Sequence, residues 1–145
     1  MTISFSCDHG GFNFKDIVFE HLKALWHDVL DLSPHTLAPL DDFPDYADQV
    51  CRSIIDKKTE RGVLICGTWI GMSIAANRHP WILAVLAYAP EIAKISRSHN
   101  NCNVICFGAR TMKIEDVLQS IEIFLKEPFI GDKYQRRNDK IDCVC

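Results

Sequence analysis

The sequence predicts an α/β fold, a doubly wound, five-stranded parallel sheet sandwiched by helices in the Rossmann-like manner. Three observations predict it. Apolar runs of strand length alternate with amphipathic stretches along the chain, the pattern of β-α units around a parallel sheet. Five of the seven glycines, Gly10, Gly11, Gly67, Gly71 and Gly108, fall just after a predicted strand. The length of 145 residues suits one domain over residues 1–145, long enough to bury a core.

The elements follow in order. "ISFSC" (Ile3 to Cys7) is a short buried strand, and the helix predicted over Phe12 to Leu25 repeats Phe14, Ile17, Val18, His21, Leu22 and Leu25 at the spacing of one face. A second strand is read at Val29 to Leu32 and a second helix at Asp45 to Lys57. Val63 to Cys66 is the third strand, and its helix runs from Gly71 to Asn77. A strand at Leu83 to Ala87 precedes a helix from Pro90 to His99, where Pro90 suits a first turn because its missing N–H costs nothing. The last strand, Val104 to Phe107, leads to a helix at Ile114 to Lys126. No repeat or low-complexity tract interrupts this order, and no disorder is expected before the last dozen residues.

The glycines after strands mark the carboxyl edge of the sheet. In open parallel sheets ligands bind there, since helix N-termini present unpaired N–H groups to the same spot. Polar residues gather at the same edge: Asp8 and His9 after the first strand, Cys66 and Thr68 after the third, Arg110 after the fifth.

Composition excludes several classes. A net charge of −3 argues against nucleic acid as a partner. The exception is "GDKYQRRNDK" (Gly131 to Lys140), which is either a solvated tail or a source of cations for some anion. The start lacks a basic stretch before an apolar run, and the longest apolar run, Trp81 to Ala89, is far below the ~20 residues that span a bilayer, so a cytoplasmic protein is expected. Seven cysteines without a C-x-x-C pair predict free thiols rather than a disulfide framework or a zinc site, and the terminal "CVC" is not read as a prenylation signal.

Cys66 carries the chemistry if any residue does. Between a buried strand and a predicted helix start its thiol pKa is expected to fall towards neutrality, which suits a nucleophile or a base; the plain alternative is a small buried hydrophobe. A cysteine phosphatase needs an arginine six residues on, and Met72 stands there. Proton abstraction beside a carbonyl needs a base and donors for the developing oxyanion, which Cys66, Thr68 and the N–H groups of Gly67, Thr68, Trp69, Ile70 and Gly71 offer. Asp8 is a turn former or a hydroxyl acceptor, and His9 and His99 are open between functional and structural roles. These three do not stand at metal-ligand spacing within one element, so no metal is expected. His21, His27, His35 and His79 read as surface or packing residues.

Six stretches in order, "CDHGGFNFK", "DFPDYA", "CGTWIGMSIAANR", "SRSHNNCNV", "FGAR" and the spacing of Arg137, resemble the type B ribose-5-phosphate isomerases, whose relatives include galactose-6-phosphate isomerase. The resemblance implies an aldose-ketose isomerase without metal or organic cofactor, working through a cis-enediol in the pentose phosphate pathway. It makes Cys66 the base, Thr68 and the Gly67 to Gly71 backbone the oxyanion cradle, and His99 the group that opens the furanose ring. Asp8, His9, Tyr46 and Asn100 match positions that line the sugar, and Arg110, Lys133 and Arg137 positions that bind phosphate. It further implies a homodimer or dimer of dimers with shared sites, in which residues 128–145 form a tail that reaches the partner with His99 and Asn100. One branch of that family uses a glutamate on the following helix as base; here Ala75 and Ala76 stand there.

The chain departs from this pattern in places. Trp69 and Trp81 occupy positions where glycine is common, and Lys133 and Tyr134 replace a common arginine and histidine. If the backbone at 69 needs a positive φ, tryptophan costs about 1–3 kcal/mol there. Its side chain is expected to pack outward on a partner chain or a helix, the alternative being that it narrows the pocket. Two further readings stand beside the pentose isomerase: a hexose-6-phosphate isomerase of the same family, and an inactive sugar-phosphate-binding protein.

Overall fold

A computed structural model describes residues 1–142; Cys143 and Cys145, whose role the sequence leaves open, lie outside the described residues. The elements run β1 (Thr2–Cys7), a 3-10 turn (Phe12–Phe14), α1 (Lys15–Ala24), β2 (Asp28–Asp31), α2 (Phe43–Ile55), β3 (Arg61–Cys66), α3 (Ile70–Ala76), β4 (Ala84–Leu86), α4 (Pro90–Asn100), β5 (Val104–Gly108), α5 (Ile114–Lys126) and α6 (Lys133–Asp142). The five strands form one parallel sheet in the order β2-β1-β3-β5-β4. The order reverses between β1 and β3, the switch at which open parallel sheets bind ligands.

Residues on the two faces of the central strands build two cores. Ile3, Phe5, Val63, Ile65, Ile105 and Phe107 pack under α1 and α5, while Leu64, Val104 and Cys106 pack under α2 and α3 through Val50, Met72 and Ala76. A strand buried on both faces reads as a continuous apolar run, which makes β3 and β5 legible, while β1 alternates Ile3, Phe5 and Cys7 with the buried Ser4 and Ser6. Met72 is fully buried, so the residue that rules out a phosphatase loop is core.

Two expectations are corrected. Ile17, on the predicted inner face of α1, is 48% exposed, whereas Lys15 is buried with its Nζ donating to the Pro34 carbonyl at 2.8 Å and lying 3.5 Å from Asp31 Oδ2. The inner stripe of α1 is narrow, Val18 and Leu22, and Lys15 is taken inward to hold the loop after β2. Residues 133–142, within the stretch where the sequence leaves room for disorder, are helical: α6 docks on α4, with Asn138 Nδ2 donating to Asn100 O at 2.8 Å, and ahead of it the Ile130 N–H donates to Ser98 O at 3.0 Å.

The loops after β1 and β3 touch backbone to backbone. A Cβ on Gly11 would lie 2.5 Å from the Ile65 carbonyl oxygen, and one on Gly10 would lie 2.7 Å from the Gly67 nitrogen. Only glycine permits that approach. It brings Asp8, whose N–H donates to Ile65 O at 3.2 Å, beside Cys66.

Candidate active site

At the carboxyl edge of β1, β3 and β5, Asp8, His9, Gly10, Phe43, Cys66, Gly67, Thr68, Gly71 and Arg110 line a cavity of about 190 Å³. Larger clefts, such as one of about 440 Å³ between α4 and α5, lie away from these groups. The geometry thus assembles Asp8, His9, Cys66, Gly67, Thr68, Gly71 and Arg110 as the sequence places them.

Cys66 ends β3 with 5% of its surface exposed. Burial pushes its thiol above its ordinary pKa; the backbone N–H groups of Thr68, Met72 and Trp69 point at the sulfur and oppose the rise, and the nearby Asp8 charge adds to it. The expected fall towards neutrality is therefore corrected: desolvation outweighs the three donors. The cradle is corrected with it, because the Thr68 and Trp69 N–H groups face the sulfur and the Ile70 N–H donates to Thr68 O at 2.7 Å. Asp8, 5% exposed, also has its carboxyl raised by burial, against the N–H of Gly11 that donates to Oδ1 at 3.0 Å. Arg110 lies across Gly67, with its Cζ 3.2 Å from where a Cβ would stand, and forms no ion pair among the described residues.

Trp69 heads α3 in the left-handed region, φ 57°, ψ −19°, and does not line the cavity. Its indole lies on the end of β5: a Cβ on Gly108 would be 2.1 Å from Trp69 Cε3. Neither an outward position nor a narrowed pocket describes it. Ile70 does not line the cavity and is 52% exposed.

His99, Asn100, Lys133 and Arg137 are elsewhere. His99 and Asn100 end α4, just before Asn103, whose carbonyl accepts from the Gly62 N–H at 2.9 Å near the start of β3. Between the Gly62–Val104 and Cys66–Gly108 pairs run roughly 13 Å of strand, so His99 and Cys66 belong to opposite edges of the sheet. There the His99 ring stacks on Tyr134, centroids 4.1 Å apart and planes 9° from parallel, while Lys133 Nζ and Arg137 Cζ lie 5.2 and 5.6 Å from the Tyr134 centroid. Tyr46 does not line the cavity either: burial, followed by the neighbouring Asp41 carboxylate, pushes its pKa up to about 12.

Asp41 is absent from the residues singled out by sequence. Its side chain, 7% exposed, accepts from His9 Nδ1 at 2.6 Å and from the His9 backbone N–H at 3.1 and 3.2 Å. The acidic pair in "LDDF" was its only sequence signal, and that pair reads equally well as a solvated turn. Phe43 was missed as well; its ring lies against Gly71, where a Cβ would meet it at 2.8 Å.

An open parallel sheet with a thiol, a carboxyl and an unpaired arginine converging at its switch point defines a small-molecule site of the kind that binds an anionic substrate. The chain belongs to the ribose/galactose isomerase family, whose model matches residues 3–141. It is 38% identical over 142 residues to a probable ribose-5-phosphate isomerase B of Mycoplasma genitalium, covering 97% of this chain and 93% of that one. It is 35% identical over 142 residues to ribose-5-phosphate isomerase B of Escherichia coli, covering 98% and 95%. The structure of ribose-5-phosphate isomerase B from Mycoplasma genitalium with bound ribulose 5-phosphate superposes with a TM-score of 0.94 at 36% identity, over 99% of this chain and 95% of that one. A ribose 5-phosphate isomerase from Thermotoga maritima gives 0.95 at 38%, over 99% and 98%.

Proposed function

We propose that the protein interconverts ribose 5-phosphate and ribulose 5-phosphate, with Cys66 as the base. The convergence of Cys66, Asp8 and Arg110 in one cavity carries this reading. With the open-chain aldose bound, the Cys66 thiolate takes the proton from C2. The C–H electrons form the C1–C2 double bond of a cis-enediolate, and the charge moves to O1. The Thr68 hydroxyl, which lines the same cavity, donates to that oxygen. Cys66 S–H then returns the proton to C1, while a proton passes from O2 to O1, and the ketose results.

The phosphate is held by Arg110 together with Lys133 and Arg137 of a second copy, whose His99 opens the sugar ring. Two observations support a second copy. The cavity of one chain, about 190 Å³, is below the ~300 Å³ usual for a ligand site, and among its lining residues Arg110 is the one permanent cation. His99, Lys133 and Arg137, matched to ring opening and to the rest of phosphate binding, lie at the other edge of the sheet, so a chain cannot offer them to its own cavity. The test is incubation of the purified protein with ribose 5-phosphate and, separately, with hexose 6-phosphates, following ketose formation. Turnover of ribose 5-phosphate is expected; preferential turnover of a hexose phosphate would replace the substrate, and binding without turnover would replace the enzyme by a binding protein.

A further inference from the structure

We propose that Asp41 is a positioning residue that fixes the face His9 turns to the substrate. His9 lines the cavity from the loop after β1, and Asp41 lies behind it at the end of the loop that leads into α2. A carboxylate only accepts, so the 2.6 Å contact puts the proton of that bond on Nδ1. Nε2 is then the ring nitrogen left for the cavity, and in the neutral ring it is an acceptor. Free imidazole favours the opposite tautomer, with the proton on Nε2, so the carboxylate sets which hydrogen-bonding pattern the substrate meets.

Three features show that this arrangement is built. Asp41 also accepts the His9 main-chain N–H with both oxygens, which fixes backbone and ring together. Tyr46 of α2 faces the same carboxylate, which raises the pKa of its hydroxyl, so Asp41 has a neighbour on α2 as well. The Asp41 N–H donates to Ala38 O at 3.0 Å, closing the turn that aims the carboxylate. The consequence is that a sugar hydroxyl donating to His9 Nε2 is recognised in one orientation. This rests on the isomerase reading for its kinetic effect, but the tautomer does not.

The experiment therefore has two arms. Long-range ¹H–¹⁵N NMR of the histidine rings in the whole protein at alkaline pH, with His9 assigned by the loss of its signals in His9→Gln, is expected to show His9 with its proton on Nδ1 in the wild type and largely on Nε2 in Asp41→Ala. In Tyr46→Phe, where the His9 contact remains, the Nδ1 form is expected to persist. The second arm measures isomerisation: Asp41→Ala is expected to lower kcat/KM about tenfold or more, the scale on which a carboxylate that orients a histidine acts, with Tyr46→Phe much closer to wild type. An Nε2-protonated His9 in the wild type, or an unchanged tautomer and kcat/KM in Asp41→Ala, would overturn the proposal. If Asp41→Ala does not fold, the wild-type and Tyr46→Phe spectra still decide it. If no isomerisation is found in any form, the functional reading fails while the NMR arm still judges Asp41.

Discussion

At Cys66 two effects compete for one proton. Three backbone N–H groups favour the thiolate, whereas near-complete burial and the Asp8 carboxyl favour the thiol, and the balance falls on the thiol side. A base of this kind is strong once ionised but scarce at neutral pH. A raised pKa leaves the thiol form dominant below it, so activity is expected to rise as pH increases, by up to about tenfold per unit while the thiol still predominates. The kcat/KM profile for ribose 5-phosphate from neutral into alkaline solution checks this, with Cys66→Ala inactive throughout. A profile that is flat or falling over that range would remove Cys66 as the titrating base. Cys66 itself was legible, because a cysteine between a strand and a glycine loop is a local pattern. The direction of its pKa was not, since desolvation depends on what α2, α3 and β5 place around the sulfur. Asp41 is the same case: its value lies in a contact to His9 across 32 residues, which leaves no periodic trace.

At the scale of elements, the start of α3 shows how a tryptophan is accommodated in a left-handed backbone. Trp69 and Trp81 adopt the left-handed backbone that glycine takes most readily, with φ of 57° and 60°. At Trp69 the strain is of order 1–3 kcal/mol, and a half-buried indole returns about the same amount, so Trp69→Gly alone is expected to move stability by no more than about 1 kcal/mol. Gly108 is informative in combination, because its missing side chain makes room for the indole. Gly108→Ala is expected to destabilise the wild type clearly and the Trp69→Gly background less, the residual cost there coming from Thr111 Oγ1 at 2.6 Å. The coupling between the two changes, read by denaturant unfolding, is expected at about 1–2 kcal/mol. Additive effects would mean that the indole does not lie on Gly108. Elements themselves were legible in proportion to their burial. The central strands stood out, and the edge strand β4 proved shorter than its apolar run. The α6 helix was invisible, since among its residues 133–141 only Asn138 is buried and no apolar stripe marks a face.

For the whole molecule, topology makes the strongest demand. A right-handed β-α crossover carries each helix back to the amino edge of the sheet, so His99 at the end of α4 and Cys66 at the end of β3 are separated by construction. Neither side-chain choice nor loop motion within one chain changes which edge each occupies. Ile70 and Ile74, 52% and 55% exposed on one side of α3, mark an apolar face next to the cavity, and we propose that a second copy covers it and brings its His99, Lys133 and Arg137 to Cys66. This makes a prediction that no monomeric site can satisfy. Cys66→Ala and His99→Asn are each expected to be nearly inactive, and each still carries an intact version of what the other lacks. Unfolded together, refolded and assayed on ribose 5-phosphate, the two variants are expected to recover roughly a quarter of wild-type activity. That figure follows because about half of randomly formed dimers are mixed, and each of these contains one complete site of two. Size-exclusion mass gives the independent check on association. Failure of the mixture to recover activity, with both variants folded and associated, would place the whole reaction within one chain and require another residue of the cavity to open the sugar ring.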